Sequence, residues 1–260
     1  MAPMYIQRVG SKWAKTNALL ASPATRNFVP LTRRFNQENV QQMLQRLNLV
    51  YAKPVNGTFG LGVIRIERSP NSAYPYVFQS GVRKYRFQSF PAMFRKLKTI
   101  KVRRPYIVQQ GIELLKFQRR RFDLRLMVQK NPQGRWETTG LIGRLAHPRK
   151  IVTNYHNGGT PMAAEKLLAP HMTDRQFTAF RSTLNQLGLD VAAAMERKFP
   201  KIKELGIDIG VDKDGKPWIL EVNTKPDPFI FRKLPNKTIY RRIYRYAVQY
   251  GRFAKKRKSS

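Results

Sequence analysis

The segment Ile207-Asp208-Ile209-Gly210-Val211-Asp212-Lys213-Asp214-Gly215-Lys216-Pro217-Trp218-Ile219-Leu220-Glu221-Val222-Asn223 decides how this chain is read. Apolar runs flank a polar stretch, Asp212 to Lys216, with Asp214-Gly215 as a turn dipeptide, so the segment predicts a β-hairpin. Side chains alternate along a strand. Asp208 and Glu221 therefore fall near the same end of the paired strands, and Asn223 lies one pleat further along the face of Glu221. One surface then carries two carboxylates and an amide oxygen, the hard donors that Mg²⁺ takes beside nucleotide phosphates. A solvated hairpin with chance acids is the alternative. It is the weaker reading, because Glu221 sits in the apolar run Trp218 to Val222. A partly buried carboxylate pair needs a cation or a Lys or Arg partner to offset repulsion and lost solvation.

The charge balance sharpens the point. Fifty Lys and Arg stand against 15 Asp and Glu in 260 residues, a formal charge of +35. Self-repulsion on this scale calls for anionic partners: an acidic protein, polyphosphate, nucleic acid or an anionic surface. Non-specific nucleic-acid binding at low salt is expected on charge alone and identifies nothing. No helix-turn-helix, zinc finger or RNA-binding aromatic signature accompanies the charge, which argues against nucleic-acid recognition as the main role. The chain has no cysteine, which excludes disulfides, thiol nucleophiles and thiolate zinc sites. His147, His156 and His171 are too scattered for a histidine metal site. No apolar run approaches a membrane span, and Met1 to Gly10 lacks the apolar core of a secretory signal, so a soluble cytoplasmic protein is the expectation.

The length and a 42% hydrophobic content suit one large domain or two intimate ones. Residues 1–35 have weak periodicity and three prolines, and read as an arm or partial helix. Asn36 is a candidate N-cap, and Val40, Met43, Leu44 and Leu47 then follow at helical spacing. Strands are predicted over 49–54 and 63–67, with further short ones near 74–79 and 82–87, and a helix over 91–100. A strand over 106–110 precedes an antiparallel pair, 122–129 and 136–145. Thr173-Asp174 starts a long helix ending near Pro200, and residues 237–253 form a basic amphipathic helix before a basic tail.

Lys53 ends a strand and Asn56-Gly57-Thr58-Phe59-Gly60-Leu61-Gly62 follows. Such a turn between strands can fold backbone N–H groups over a phosphate, with the lysine beneath as a point charge; an ordinary glycine-containing hairpin is equally compatible. It is neither a Walker A loop nor a Rossmann fingerprint, since no helix follows. Arg125 and Arg144 lie on the paired strands, where they can grip phosphate or acyl-phosphate oxygens by bidentate contact or stand as surface arginines. Asn154-Tyr155-His156-Asn157-Gly158-Gly159 is a polar loop of no defined role by itself.

The ordered series resembles the ATP-grasp superfamily, most of all its YheC/YheD endospore coat-associated family, over about Leu31 to Lys233. It runs from Tyr51-Ala52-Lys53-Pro54-Val55-Asn56-Gly57 through Gln109-Gln110-Gly111-Ile112, Phe122-Asp123-Leu124-Arg125, Arg144 and Asn157-Gly158-Gly159 to Glu204-Leu205-Gly206-Ile207-Asp208-Ile209-Gly210 and Glu221-Val222-Asn223. The Asp-x-Arg, Arg and Asn-x-His-x-Gly-Gly series is also similar to that of the ligases adding glutamate to ribosomal protein tails.

The resemblance implies an α+β ATP-grasp fold of two subdomains clamping ATP. The arm would be 1–35, the small subdomain 36–105, the large subdomain 106–235 and the basic helix and tail 236–260. Lys53 would contact the phosphates, and the loop with Gly57, Gly60 and Gly62 would close over them. Backbone of Gln110, Gly111 and Ile112 would meet adenine. Asp208, Glu221 and Asn223 would hold Mg²⁺ (Mn²⁺ is the alternative ion), and Arg125, Arg144 and Asn154 would face the transferred group. Family chemistry is phosphorylation of a carboxylate followed by attack of an amine or similar nucleophile. The alternative is a non-catalytic, spore-associated protein that docks through its basic surface.

The chain departs from the family pattern in three respects. Only about fifty residues precede Lys53, so the domain usually ahead of the lysine strand is expected to be missing or reduced. The second phosphate-binding lysine has no evident place, with Arg26, Arg33 or Arg34 as substitutes. Asp227 follows Pro226 where many relatives have glycine.

Overall fold

The structure, a computed structural model, describes residues 5–58, 60–151, 153 and 158–254. Asn154, His156 and Asn157 of the polar loop, Phe59 of the glycine-rich turn and the tail beyond 254 lie outside the described residues.

Residues 11–34 hold two helices and a short strand, where the sequence suggested an arm or partial helix. Ser11 accepts a hydrogen bond from the Ala14 N–H and so caps α1 (Lys12–Leu20). Helix α2 (Pro23–Arg26) follows, and then β1 (Thr32–Arg34). Asn36 caps α3 (Gln37–Leu47) through the Asn39 N–H at 2.7 Å, as its residue type predicts. Strands β2 (Leu49–Pro54), β3 (Ile64–Arg68), β4 (Tyr76–Ser80) and β5 (Arg83–Phe87) lead to α4 (Phe90–Ile100) and β6 (Tyr106–Gln110). These strands form a six-stranded sheet in the order β1-β6-β2-β3-β4-β5. Strand β6 thus lies beside β2, so the first sheet runs on to Gln110 rather than ending at residue 105. Helices α3 and α4 cover one face, burying Val40, Met43, Leu44, Met93 and Leu97 against Val50, Ile66 and Phe78. Full burial of each such side chain contributes about 1.5–3 kcal/mol.

The second sheet has the order β10-β9-β8-β11-β12, with β7 added beside β8. Its strands are β7 (Lys116–Phe117), β8 (Arg120–Lys130), β9 (Trp136–Leu145), β10 (Thr160–Met162), β11 (Glu204–Val211) and β12 (Pro217–Asn223). Helix α5 (Ala164–Leu168) and helix α6 (Asp174–Lys198) lie between β10 and β11. A capping box, Thr173 with Gln176, starts α6. Alternation decides the two faces of the sheet. Phe122, Leu124, Leu126 and Val128 of β8 and Leu205, Ile207, Ile209 and Val211 of β11 join α6 in the main core. The opposite residues of the same strands, Asp123, Arg125 and Asp208, are also buried, on the other face. Further along that face Met127 and Ile142 pack under a 3-10 helix (Phe229–Lys233) and α7 (Lys237–Gln249).

A buried cluster joins the ends of the described chain. Glu204 takes Arg8 at 2.7 Å on one oxygen, and Tyr250 and Arg252 at 2.7 Å each on the other. This fixes residues 8 and 250–252 to the start of β11.

Candidate nucleotide and metal site

Strands β11 and β12 form the hairpin that the sequence suggested, with Asp208 directly opposite Glu221 and Gly206 opposite Asn223. The turn closes through Asp212, whose carboxylate accepts from the Asp214 and Lys216 N–H groups and from the Trp218 indole. One feature was not legible: Asp208 pairs with Glu221 but Ile209 pairs with Ile219, so Leu220 is a bulge. The extra residue keeps Ile219 and Val222 in the core and sets Leu220 and Glu221 side by side on the cleft. Asp208, Glu221 and Asn223 line one cavity of about 590 Å³ together with Thr58, Arg125 and Arg144.

The charges inside this cavity are locked together. Arg125 donates to one Asp208 oxygen at 2.5 Å, and Arg144 meets the other at 3.0 Å. Arg144 also grips Asp123, which stands opposite it across β8 and β9, with contacts of 2.8 and 2.6 Å. Thr153 donates to the same Asp123 carboxylate at 2.5 Å. Burial works against the charge of Asp208, and Arg125 and Arg144 more than offset it, holding the carboxyl below its usual range. Burial likewise opposes the charge of Arg144, and Asp123 and Asp208 overcome it, so this guanidinium stays protonated. Gly206 makes the arrangement possible: a Cβ there would lie 3.2 Å from Arg125 Cδ and 2.6 Å from Pro226 Cβ.

A second group of charges converges on Glu221. Lys12 Nζ lies 3.2 Å from Glu221 Oε1 and donates to the Gly57 carbonyl at 2.8 Å, so one lysine holds both the hairpin and the glycine-rich turn. Lys15, one turn along α1, is buried beside it. Lys53 donates to Gln109 Oε1 at 2.6 Å. Burial lowers Lys15 to about 8, with Lys12 adding repulsion and Glu221 opposing the change. The same causes lower Lys53 to about 8. Lysines 12 and 15 escaped the sequence reading, because a pair of lysines at helical spacing usually marks a solvated face. The arginines suggested instead lie elsewhere: Arg33 bonds Gln42 and Asn39, Arg34 stacks over Trp13, and Arg26 is exposed at the end of α2.

From Lys53, Asp208 and Glu221 a narrow, mostly apolar slot of about 100 Å³ runs between the two sheets. Tyr51, Val63, Ile112, Leu114 and Leu220 line it, with Gln109, Gln110 and Gly60. Of the three residues expected to meet adenine, Gln110 and Ile112 line the slot. Gly111 donates its N–H to the Leu49 carbonyl, and a Cβ on it would fall 2.2 Å from Leu49 Cγ. The Gln110 N–H is likewise taken, by the Leu31 carbonyl, so these two N–H groups are not free to meet a base. In the glycine-rich turn Gly60 and Gly62 have φ of 71° and 74°, and the Gly62 carbonyl accepts from Tyr106 at 3.0 Å. Asp227, the departure after Pro226, accepts from the Phe229 N–H at 2.8 Å just ahead of the 3-10 helix.

Two sheets closing on a cleft that combines an apolar slot with a cluster of lysines and arginines have the architecture of an ATP-grasp fold. Solved proteins share it. The carboxyaminoimidazole ribonucleotide synthase of Aspergillus clavatus, complexed with ATP, has a TM-score of 0.52 at 11% identity over 85% of this chain and 46% of its own. The ATP-grasp ligase PsnB, complexed with a minimal precursor, has a TM-score of 0.50 at 12% identity over 92% of this chain and 60% of its own. At such identity these likenesses establish the fold alone. Within the fold, the chain belongs to the YheC/D-like ATP-grasp family, whose profile matches residues 2–253. It is 27% identical over 240 residues to the endospore coat-associated protein YheD of Bacillus subtilis (strain 168), covering 88% of this chain and 51% of YheD. It is 22% identical over 220 residues to YheC of the same organism, covering 83% of this chain and 59% of YheC. The chain thus spans between half and three-fifths of the curated relatives it matches. No helix among the described residues is long and apolar enough to cross a membrane.

Proposed function

We propose that this chain is an ATP-dependent ligase that activates a carboxylate substrate for attack by an amine or similar nucleophile. The observation that carries the reading is the uncompensated positive charge of the cleft. Lys12, Lys15 and Lys53 gather around Glu221, and with Arg125 and Arg144 they make five bases against three acids, Glu221, Asp208 and Asp123; burial lowers Lys15 and Lys53 to about 8. A triphosphate is the counter-charge such a site lacks. The apolar slot beside it suits a purine ring, once the sheets part enough to admit one.

The donor set also suits Mg²⁺. Among the described residues there is no group of three or more His, Cys, Asp or Glu arranged for a metal. Asp208, Glu221 and Asn223 supply two carboxylates and an amide on one cavity, which fits an ion that takes its remaining ligands from phosphate oxygens and water. Each Asp208 oxygen gives one lone pair to an arginine and retains another. Bound there, the ion would neutralise charge on the β- and γ-phosphates.

In the proposed reaction a substrate carboxylate oxygen bonds to the γ-phosphorus and ADP leaves. The amine nitrogen then attacks the acyl carbon, phosphate departs and the amine loses a proton. Lys12, Lys15 and Lys53 hold the phosphates. Arg125 and Arg144, fixed by Asp208 and Asp123, keep positive charge aimed at the transferred group without reorganising. Asn154 belongs to the same proposal on sequence grounds. The substrate acid, the amine and any association with a spore coat, as in the names of the relatives, are part of this proposal too.

Calorimetry of ATP binding with and without Mg²⁺, at about 0.3 M salt to screen diffuse attraction, tests the reading. Mg²⁺-dependent binding that is lost in Lys53→Ala and Glu221→Gln supports it, and ATP affinity unchanged in both variants refutes it. A second reading, nucleotide binding without turnover, draws on the full pairing of Asp208 with arginines. Binding with no ADP release across a panel of acids and amines would favour it.

A further inference from the structure

Beyond the apolar slot the cleft widens again, toward the β5 edge of the first sheet. This outer groove encloses about 670 Å³ and is distinct from the cavity holding Asp208 and Glu221. Its floor is a cross-strand row, Arg65, Gln79 and Lys84, that continues the line of Tyr51 and Gln109 across the sheet. Its roof is the β7–β8 hairpin with Arg119, Arg120 and Arg121, and the segment with Arg149 and Lys150. Gln79 ties floor to roof by donating to the Arg149 carbonyl at 3.0 Å.

A solvated basic face is the plain alternative in a chain of charge +35. Three observations set this groove apart. The lining has eight Lys and Arg and no Asp or Glu, and among the described residues only Arg65 has a carboxylate partner, Glu67. Arg65 Nε is the one buried side-chain nitrogen or oxygen among the described residues that lacks a hydrogen-bond partner. The roof is also held in an unfavourable conformation: Gln118 and Arg119 form the two-residue turn with φ of 49° and 64°. Such turns favour Asn-Gly, and each non-glycine residue there costs about 1–2 kcal/mol, so the arginine is kept at the expense of stability.

We infer that this groove docks an acidic polypeptide segment, one presenting a run of Asp or Glu side chains. Arginine forks match carboxylates from both walls. Strand β5 is an edge whose basic residues Arg83, Lys84 and Arg86 can meet an added acidic strand. The lining offers no Phe, Tyr or Trp ring on which a nucleic-acid base could stack. The inference does not rest on the ligase reading, since docking needs no ATP.

The test is fluorescence anisotropy of a labelled oligo-glutamate peptide on the full chain at about 0.15 M salt. One variant removes groove charges at three exposed positions, Lys84→Ser, Arg119→Gly and Arg149→Ser. A control removes the same charge elsewhere, Lys233→Ser, Arg241→Ser and Arg245→Ser. The expected result is about tenfold weaker binding in the groove variant, the effect of three lost exposed charge pairs, and less than about twofold in the control. Single Arg149→Glu, weakening binding at an exposed loop position, repeats the test should the triple variant unfold. No binding by the wild type, or equal losses in both triple variants, overturns the inference. Tighter binding of an oligothymidylate or inorganic polyphosphate of matched charge, with the same groove dependence, also overturns it in favour of a phosphate ligand.

Discussion

ATP binding should take up protons from solution, and the size of the uptake follows from Lys15 and Lys53. Both are lowered from 10.5 to about 8 by burial, with Lys12 adding to the effect. At pH 8 each therefore carries about half a proton in the empty cleft. A triphosphate placed among the lysines favours their charged forms and returns both toward 10.5, while the phosphate itself, with a second pKa of about 6, is already ionised at pH 8 and adds no uptake at lower pH. Binding at pH 8 should then absorb about one proton per ATP, and at about pH 6.5 less than a tenth. Calorimetry in two buffers of different ionisation heat gives the number directly. Lys15→Met should halve the uptake at pH 8. Normal affinity with no buffer dependence at pH 8 would refute the argument, because it would mean that the lysines are already fully charged in the empty protein. The same displacement has a sign for the ligand-free fold. Below pH 8 the lysines are protonated folded and unfolded, and the whole cost of burying charge is felt. Between 8 and 10.5 the folded form sheds protons first, so this contribution becomes more favourable as pH rises.

Asp123→Asn should destabilise the fold by about 3 kcal/mol in urea denaturation, since it strips Arg144, buried at 3% exposure, of its bidentate partner. A loss under about 1 kcal/mol would show that Asp208 alone can hold Arg144. Gly62→Ala should cost about 2 kcal/mol, because φ is 74° and the new Cβ would stand 2.8 Å from the Tyr106 hydroxyl and 3.0 Å from Pro54 Cγ. A melting temperature unchanged from wild type would show the turn free to move. Arg119→Gly should raise stability by about 1 kcal/mol by relieving a left-handed arginine, and a loss of stability would mean that this side chain supports the hairpin.

The local patterns were legible wherever neighbouring residues set the outcome. Asn36 and Thr173 announce their helices through capping chemistry, and Asp214-Gly215 marks the hairpin turn. The β2 lysine and the glycines after it stand out because Gly60 and Gly62 need positive φ. What escaped depends on pairing distant in sequence. Nothing in Tyr106 to Gln110 says that the strand lies between β1 and β2, since its buried run suits either sheet. The bulge at Leu220 leaves no local mark, although it sets both Leu220 and Glu221 on the cleft. Helix α1 carries its two lysines in a stretch of weak periodicity. Only the docking of α1 on α6 and β12 turns that pair inward.

Scarcity of acid is what makes the site readable. In a chain with 15 acids among 50 bases, a buried carboxylate is seldom incidental. Asp123, Asp208 and Glu204 are the fully buried acids among the described residues, and each is held by at least one arginine. Glu204 holds Arg8 and Arg252 and joins the two ends of the chain. Asp123 and Asp208 instead position Arg125 and Arg144 on the cavity that Glu221 and Asn223 share. Two groups of basic residues stand out from the rest: the lysines around Glu221, to which the proposed triphosphate would bind, and the outer groove, to which the proposed acidic peptide would bind. On these two proposals a triphosphate and an acidic segment would bind on either side of one slot, and the variants that remove either set of cations can tell whether the two sites act together.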